Sequence, residues 1–359
     1  MLDNGTIANP GDHLLDALCE QISGMATELD AAEAWPSKQL ELCGRYGVFE
    51  WFMRREWGGQ QWDEVDIVRG YLKLSAACLT TTFIITQRSG ACRRIEVCDN
   101  ELLKKRLLPD LVTGASFATL GISHLTTSRR HLDPPVLRAE ETADGFVLNG
   151  FSPWVTGASH ADHVLTGATL DDGRQILVAL PTNLSGVSIP PSAQLVGLSA
   201  SQTGEVRCNR VEVSHDWLIA GPVENIMSQG VGAKTGGLQT STLAVGLARA
   251  AVDFLNTEAE RRDDLCESTN SMNAQCERLT SDLLAIASGQ RVCSNEQLRT
   301  RANSLVLRST QAALVAAKGS GYVTSHPAGR WCCEALFFLV WSCPQPVMAA
   351  NLCELAGIA

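Results

Sequence analysis

Trp154 and Thr156 stand two residues apart within Gly145 to Asp162, GFVLNGFSPWVTGASHAD, the stretch of this chain whose residue types could do the most chemistry. The run reads as strand, with Asn149-Gly150 as a tight turn between two extended segments. Side chains along a strand alternate faces, so Trp154 and Thr156 are expected to project from the same one. The indole offers a broad apolar plane, and the hydroxyl can donate or accept a hydrogen bond. Together they suit a flat heteroaromatic ligand that needs one stacked wall and one hydrogen bond at its edge. Strands favour Trp, Val and Thr for their own sake, so ordinary strand chemistry accounts for the same residues.

The elements that would position such a pair follow from the rest of the chain. With 359 residues, 45% of them hydrophobic, it can bury a large core and is expected to divide into two or three domains. A net charge of -10 disfavours a nucleic-acid surface, though a local basic pocket for a phosphorylated small molecule fits within it. The first twenty-one residues show no basic region followed by an apolar core, so no secretory signal is expected. The longest apolar run, Ala335 to Trp341, is seven residues, against the ~20 that a membrane span needs. Thirteen scattered cysteines form no CxxC pair and are expected to be reduced, mostly buried thiols in a cytoplasmic protein. His124, His131, His160 and His163 lack a carboxylate or thiolate spaced to complete a ligand set, so no metal site is expected.

Residues 1–115 read as helical. Leu40, Leu42, Tyr46, Val48 and Phe49 form one apolar face, and Ile67, Val68, Tyr71, Leu72 and Leu74 form another. Trp57-Gly58-Gly59 closes the first, and Ser89-Gly90 is read as a break in a helix that begins near Ala76. Residues 116–220 change period: Val136 to Ala139, Phe146 to Leu148, Val164 to Thr166 and Ile176 to Leu180 read as short strands of a small antiparallel β barrel or sandwich. Residues 221–359 are helical again, with Leu238 to Arg262, Met272 to Ile286 and Ser294 to Ala317 punctuated by Gly289 and Gly319-Ser320-Gly321. Ala-rich helices of this kind pack closely, as in a four-helix bundle. The expected class is α+β, mainly α.

This order, with GFVLNG and WVTG in its middle, resembles the acyl-CoA dehydrogenase family of flavoproteins. Tyr46 to Phe49 with Glu56-Trp57-Gly58-Gly59 is similar to the family's "AGLLGL…EEYGG" stretch, and Leu102 to Gly114 to its "EEQKRRWLPxLASG" segment. Leu195 to Leu218 resembles the stretch that closes the family's β domain, and Val245 to Ala248 the start of its long bundle helix. The resemblance covers nearly the whole chain and implies FAD bound between the β domain and the C-terminal bundle, with a second subunit covering the adenosine half. It places Trp154, Thr156 and Ser123 against the flavin ring. Arg262, at the Arg of "RxxFG", would contact the pyrophosphate, and Gly319 and Gly321, in the "GGxG(F/Y)" loop, would lie under the phosphates. Guanidinium forks suit phosphate oxygens, and glycine lets a backbone approach them. It further implies a homodimer or homotetramer, an acyl-CoA substrate, and an electron-transfer flavoprotein or oxygen as acceptor.

The chain departs from the family where the chemistry is. Counted without gaps from Arg330, Ser342 takes the position of the family's catalytic Glu, with Cys343 next to it. Serine has no basic form near neutral pH, and a thiolate needs a lowered pKa. The alternative base position, in Lys234 to Thr240, holds no carboxylate, and the family's "EPxAGSD" becomes His124 to His131 with Arg129 and Arg130. Three functions remain open on these residues: α,β-dehydrogenation of an acyl-CoA with hydride passing to the flavin, oxygen activation by a flavin monooxygenase on the same fold, and a non-catalytic binding or assembly role.

Overall fold

A computed structural model describes residues 5–32, 34–126, 135–228 and 238–358. Five helices come first: α1 His13–Ala32, α2 Ser37–Arg45, α3 Glu64–Ala77, α4 Leu79–Val97 and α5 Glu101–Thr113. Side-chain caps begin three of them, Asp12 accepting from the Leu14 amide, Asp63 from the Asp66 amide and Asn100 from the Leu103 amide, each satisfying a donor that the first helical turn leaves free. Ser89-Gly90 does not break α4, contrary to the expectation from sequence. A methyl group at Gly90 would come within 2.7 Å of Leu120 Cδ1, so the glycine is there to let a strand approach.

That strand is β1, Ala118–Gly121, followed by the single helical turn α6, Ser123–Thr126. Seven more strands complete one sheet: β2 Leu137–Glu141, β3 Gly145–Val155, β4 His163–Thr169, β5 Gln175–Pro181, β6 Val187–Ser188, β7 Gly204–Ser214 and β8 Leu218–Val223. Their order is β6-β7-β3-β2-β4-β5-β8, with β1 also on β4. Most pairings are antiparallel, but β1 and β2 both run parallel to β4, so the sheet is mixed. Asn149-Gly150 is not a turn. β3 runs straight through it with a register shift against β7, because Gly150 at φ 121 lies against the Val136 carbonyl, where a side chain would collide.

β4 and β5 are apolar on both faces for a packing reason. Leu165, Leu177 and Ala179 meet Ile95, Leu103, Leu107 and Leu111 of α4 and α5. Val164, Ile176, Val178 and Leu180 point the other way, into a core with Phe146, Leu148, Val206 and Val211 of β3 and β7. Period-two alternation thus serves two cores at once.

The chain closes with α7 Leu238–Ala259, α8 Cys266–Ala287, α9 Asn295–Ala317, α10 Pro327–Val340 and α11 Gln345–Leu355. Ser294 and Gln297 form a reciprocal capping box at the start of α9, which satisfies two donors that the first turn would leave free. α7 lies so close to α3 that a methyl at Gly246 would stand 2.8 Å from the Leu72 carbonyl, and one large core joins the first helices to the last. No described helix is long and apolar enough to cross a membrane. Among the described residues no three His, Cys, Asp or Glu side chains are grouped to hold a metal ion.

Candidate functional site

The ends of β1 and β3 are tied together by side-chain hydroxyls. Ser152 Oγ and Thr166 Oγ1 both donate to the Gly121 carbonyl, at 2.8 and 2.7 Å. Thr119 Oγ1 donates to the Thr156 carbonyl at 2.8 Å, and Ser123 Oγ to the Pro153 carbonyl at 2.9 Å. Pro153 has no N–H for the ladder, and the β3–β7 register slips between Ser152 and Val155, as a proline inside a paired strand requires.

This slip overturns the expectation that Trp154 and Thr156 share a strand face. Trp154 sits at φ 57 and is 53% exposed, whereas Val155 and Thr156 are buried. Trp154 and Ser123 are nevertheless brought together, since the Ser123 hydroxyl grips the carbonyl preceding Trp154. A bulky residue in the left-handed region costs about 1–2 kcal/mol, and such strain persists where the surroundings over-determine it, commonly at binding sites.

Thr156 ends a buried hydroxyl chain that sequence reading missed. Thr203 Oγ1 donates to Thr156 Oγ1 at 3.2 Å, and Ser201 Oγ lies 2.9 Å from Thr203 Oγ1. With Thr203 donating, the Thr156 proton is left for another acceptor. The two helpers stand in Ser201-Gln202-Thr203, inside the stretch that resembled the end of the family β domain, and their spacing was the only available signal. A half-exposed indole, a spare hydroxyl donor and a bulge that fixes both can hold the edge and face of a flat heteroaromatic ring.

Arg262, Gly319 and Gly321 form a second cluster, at the bundle end of α9. Arg262 Nη1 donates to the Ala316 carbonyl at 2.8 Å, and its guanidinium pairs with Glu258 at 3.7 Å and Asp264 at 3.3 Å. Two of its five donors are thus engaged within the chain, one at each Nη, and two carboxylates stand beside it. Gly321 is small for an internal reason, since a methyl there would meet Ala317 Cβ at 2.7 Å and Leu314 Cδ1 at 3.0 Å, whereas Gly319 faces open space. The left-handed residue of this turn is Lys318, φ 55, and neither glycine.

Ser342 and Cys343 occupy the turn between α10 and α11, with Ser342 at φ 43. The turn is held from beneath by a buried arginine. Arg299 Nε donates to Asn303 Oδ1 at 2.8 Å, and its Nη2 to the carbonyls of Phe338 and Trp341 at 3.2 and 2.9 Å. Phe83, Phe337 and Trp341 pack as an aromatic trio with centroids 4.8 to 5.0 Å apart. Burial pushes the Cys343 thiol up, with Arg299 opposing, so the sulfur is a thiol and no base at neutral pH. Arg129, Arg130, His131 and Lys234 to Gly237 lie outside the described residues.

His160 and His124 are held within the fold. His160 stacks on Trp35, centroids 4.4 Å apart, and reaches Gln202 Oε1 at 2.9 Å. His124 is buried, with Nε2 donating to the Gly167 carbonyl at 2.8 Å and Nδ1 without a partner. Burial holds its pKa below the usual value, and the carbonyl partly offsets this. The unfolded chain therefore takes up a proton below about pH 6.5 that the folded ring refuses, and stability falls as pH drops through that value. Urea unfolding should show wild type losing stability faster than His124→Gln between about pH 7.5 and 5.5, by up to about 1.4 kcal/mol per pH unit. Parallel slopes would acquit His124.

Comparison with known proteins agrees with this architecture. Residues 12–115 match the family model for the acyl-CoA dehydrogenase N-terminal domain. The chain is 24% identical over 262 residues to a probable acyl-CoA dehydrogenase of Bacillus subtilis, covering 71% of this chain and 68% of that one. Butyryl-CoA dehydrogenase from Megasphaera elsdenii superposes with a TM-score of 0.81 at 17% identity, covering 96% of both chains. FMN-bound TdsC from Paenibacillus sp. A11-2, described as a dibenzothiophene monooxygenase, superposes with a TM-score of 0.81 at 16% identity, covering 95% of this chain and 96% of that one. At these identities the structural likeness shows the fold.

Proposed function

We propose that this chain, which matches the acyl-CoA dehydrogenase N-terminal domain over residues 12–115 and resembles curated acyl-CoA dehydrogenases, is a flavin-dependent oxidoreductase of that family whose flavin ring lies against Trp154 and Thr156. The observation that carries this is the strained, half-exposed Trp154 locked by Ser123 beside a spare Thr156 proton. The Trp154 indole stacks on the ring face. Thr156 donates to an acceptor at the ring edge, and Thr203 and Ser201 hold its oxygen so that its proton is free to be donated. A bound flavin supplies a two-electron acceptor for hydride.

The first substrate class is an acyl-CoA, which the relatives' names suggest for those proteins. Loss of the α proton then has no carboxylate to receive it from the α10–α11 turn, where Ser342 and Cys343 stand. No Asp or Glu occurs anywhere between Asn225 and Val252 either, so under this reading the proton passes to the substrate's own groups, to water or to a base outside both stretches. The same absence favours a second reading, in which reduced flavin activates oxygen and no α-proton base is needed. Electron-transfer flavoprotein and oxygen are the acceptors under these two readings. A homodimer or homotetramer is supported by apolar side chains exposed on the last helices: Val315 at 74%, Tyr322 at 86% and Leu352 at 59%.

The test is the visible spectrum after incubation with excess flavin, then anaerobic addition of acyl-CoAs of graded length. Bleaching supports dehydrogenation. Oxygen uptake that needs reduced flavin and an aromatic substrate supports the second reading, and a preparation that takes up no flavin supports a non-catalytic role.

A further inference from the structure

The ring site and the α9-end cluster do not point to the same cofactor. At Trp154 and Thr156 the side chains present a wall and a free donor. At Arg262 the guanidinium expected to grip a pyrophosphate is already shared among the Ala316 carbonyl, Glu258 and Asp264. Its surroundings are acidic as well. Residues 258–267, EAERRDDLCE, carry five carboxylates against two arginines, and Lys318 is the one cation of the turn KGSGY at the end of α9. A diphosphate brought here meets an excess of like charge and a fork that already serves a carbonyl and two carboxylates. Gly321 adds no cradle, because its missing side chain is filled by Ala317 and Leu314 of the same chain.

From this we infer that Arg262, Gly319 and Gly321 form no working subsite for the adenosine diphosphate half of FAD, and that the chain holds its flavin by the ring, so that FMN binds as well as FAD. The inference rests on the flavin reading above, and departs from the sequence-based expectation of FAD held through Arg262, Gly319 and Gly321. Arg262 alone does not reveal the difference, because a guanidinium binds phosphate best where carboxylates have not claimed it first.

Equilibrium titration of the purified full chain with FMN, FAD and riboflavin, followed by flavin fluorescence, tests it. Comparable affinities for FMN and FAD, within about fivefold, and no displacement by millimolar ADP are expected where the second half contributes little. FAD binding more than about fivefold tighter than FMN, or displacement of bound FAD by ADP, overturns the inference while leaving the ring site intact. Failure to bind any of the three flavins overturns the inference and the flavin reading together. Asp264→Asn gives an independent arm, because the residue is mostly exposed and the change is nearly isosteric. Removing one carboxylate and releasing one arm of Arg262 should raise the FAD-to-FMN affinity ratio by about threefold or more at low salt. An unchanged ratio would mean that Asp264 is not what disables the subsite.

Discussion

Replacing Arg299 by leucine is expected to lower the unfolding free energy by about 2–4 kcal/mol. The side chain is only 5% exposed and serves Asn303 Oδ1 and the carbonyls of Phe338 and Trp341, the acceptors that the end of α10 leaves unpaired. Leucine fills the space but leaves Asn303 Oδ1 and the Trp341 carbonyl without a donor. Phe338 keeps Asn303 Nδ2 at 3.0 Å, so the loss falls short of three full bonds. Burial already lowers the Arg299 pKa to about 10, so removing the buried charge recovers part of the cost. Arg299→Lys keeps the charge but not the fork, and should recover less than half of the lost stability. Urea denaturation monitored by helical circular dichroism measures this. A leucine variant within about 0.5 kcal/mol of wild type would mean that the turn supports itself. Because Arg299 opposes the upward shift of the Cys343 thiol, the same variant should also alkylate more slowly at Cys343 near neutral pH.

Trp154→Gly should separate stability from ligand binding. Glycine accepts φ 57 without strain, which returns about 1–2 kcal/mol. This roughly offsets the apolar burial forfeited by removing a side chain that is 53% exposed. The urea midpoint should therefore hardly move. Flavin affinity should fall by about 10- to 100-fold, the scale of one aromatic stacking partner at about 1–3 kcal/mol. Thr156→Val, which removes the spare donor and keeps the shape, should cost about tenfold. Titration with FMN reports both. Full affinity in Trp154→Gly would remove the indole from the site, and a large drop in its stability would show that Trp154 serves packing.

Much of the architecture was legible because its signals are local. Ser294 to Ala317 reads as one helix, and α9 runs from Asn295 to Ala317 behind a Ser294 cap. Ile176 to Leu180 and Val164 to Thr166 read as strands and fold as strands. Other signals misled because a distant partner overruled them. Ser89-Gly90 spells a break, yet α4 continues, since Leu120 needs the space above Gly90. Asn149-Gly150 spells a turn, yet β3 continues, because β2 and β7 pair with it on both edges. The candidate site divided in the same way. Ser123 was placed beside Trp154 by a bond to Pro153, while Ser201 and Thr203 came into view only through their hydroxyl chain to Thr156.

By itself the sequence determined the run of helices, strands and helices, and the residue types at the candidate ring site, because periodicity and motif spacing are written along the chain. It also determined that Ser342 and Cys343, neither of them a carboxylate, stand together between the last two helical runs. Only the tertiary structure decided that Trp154 points outward while Thr156 is buried, since a bulge at Pro153 resets the alternation that spacing assumes. Only the tertiary structure decided, too, that Arg262 is occupied, because the carbonyl of Ala316 lies fifty-four residues away in the chain and 2.8 Å away in the fold.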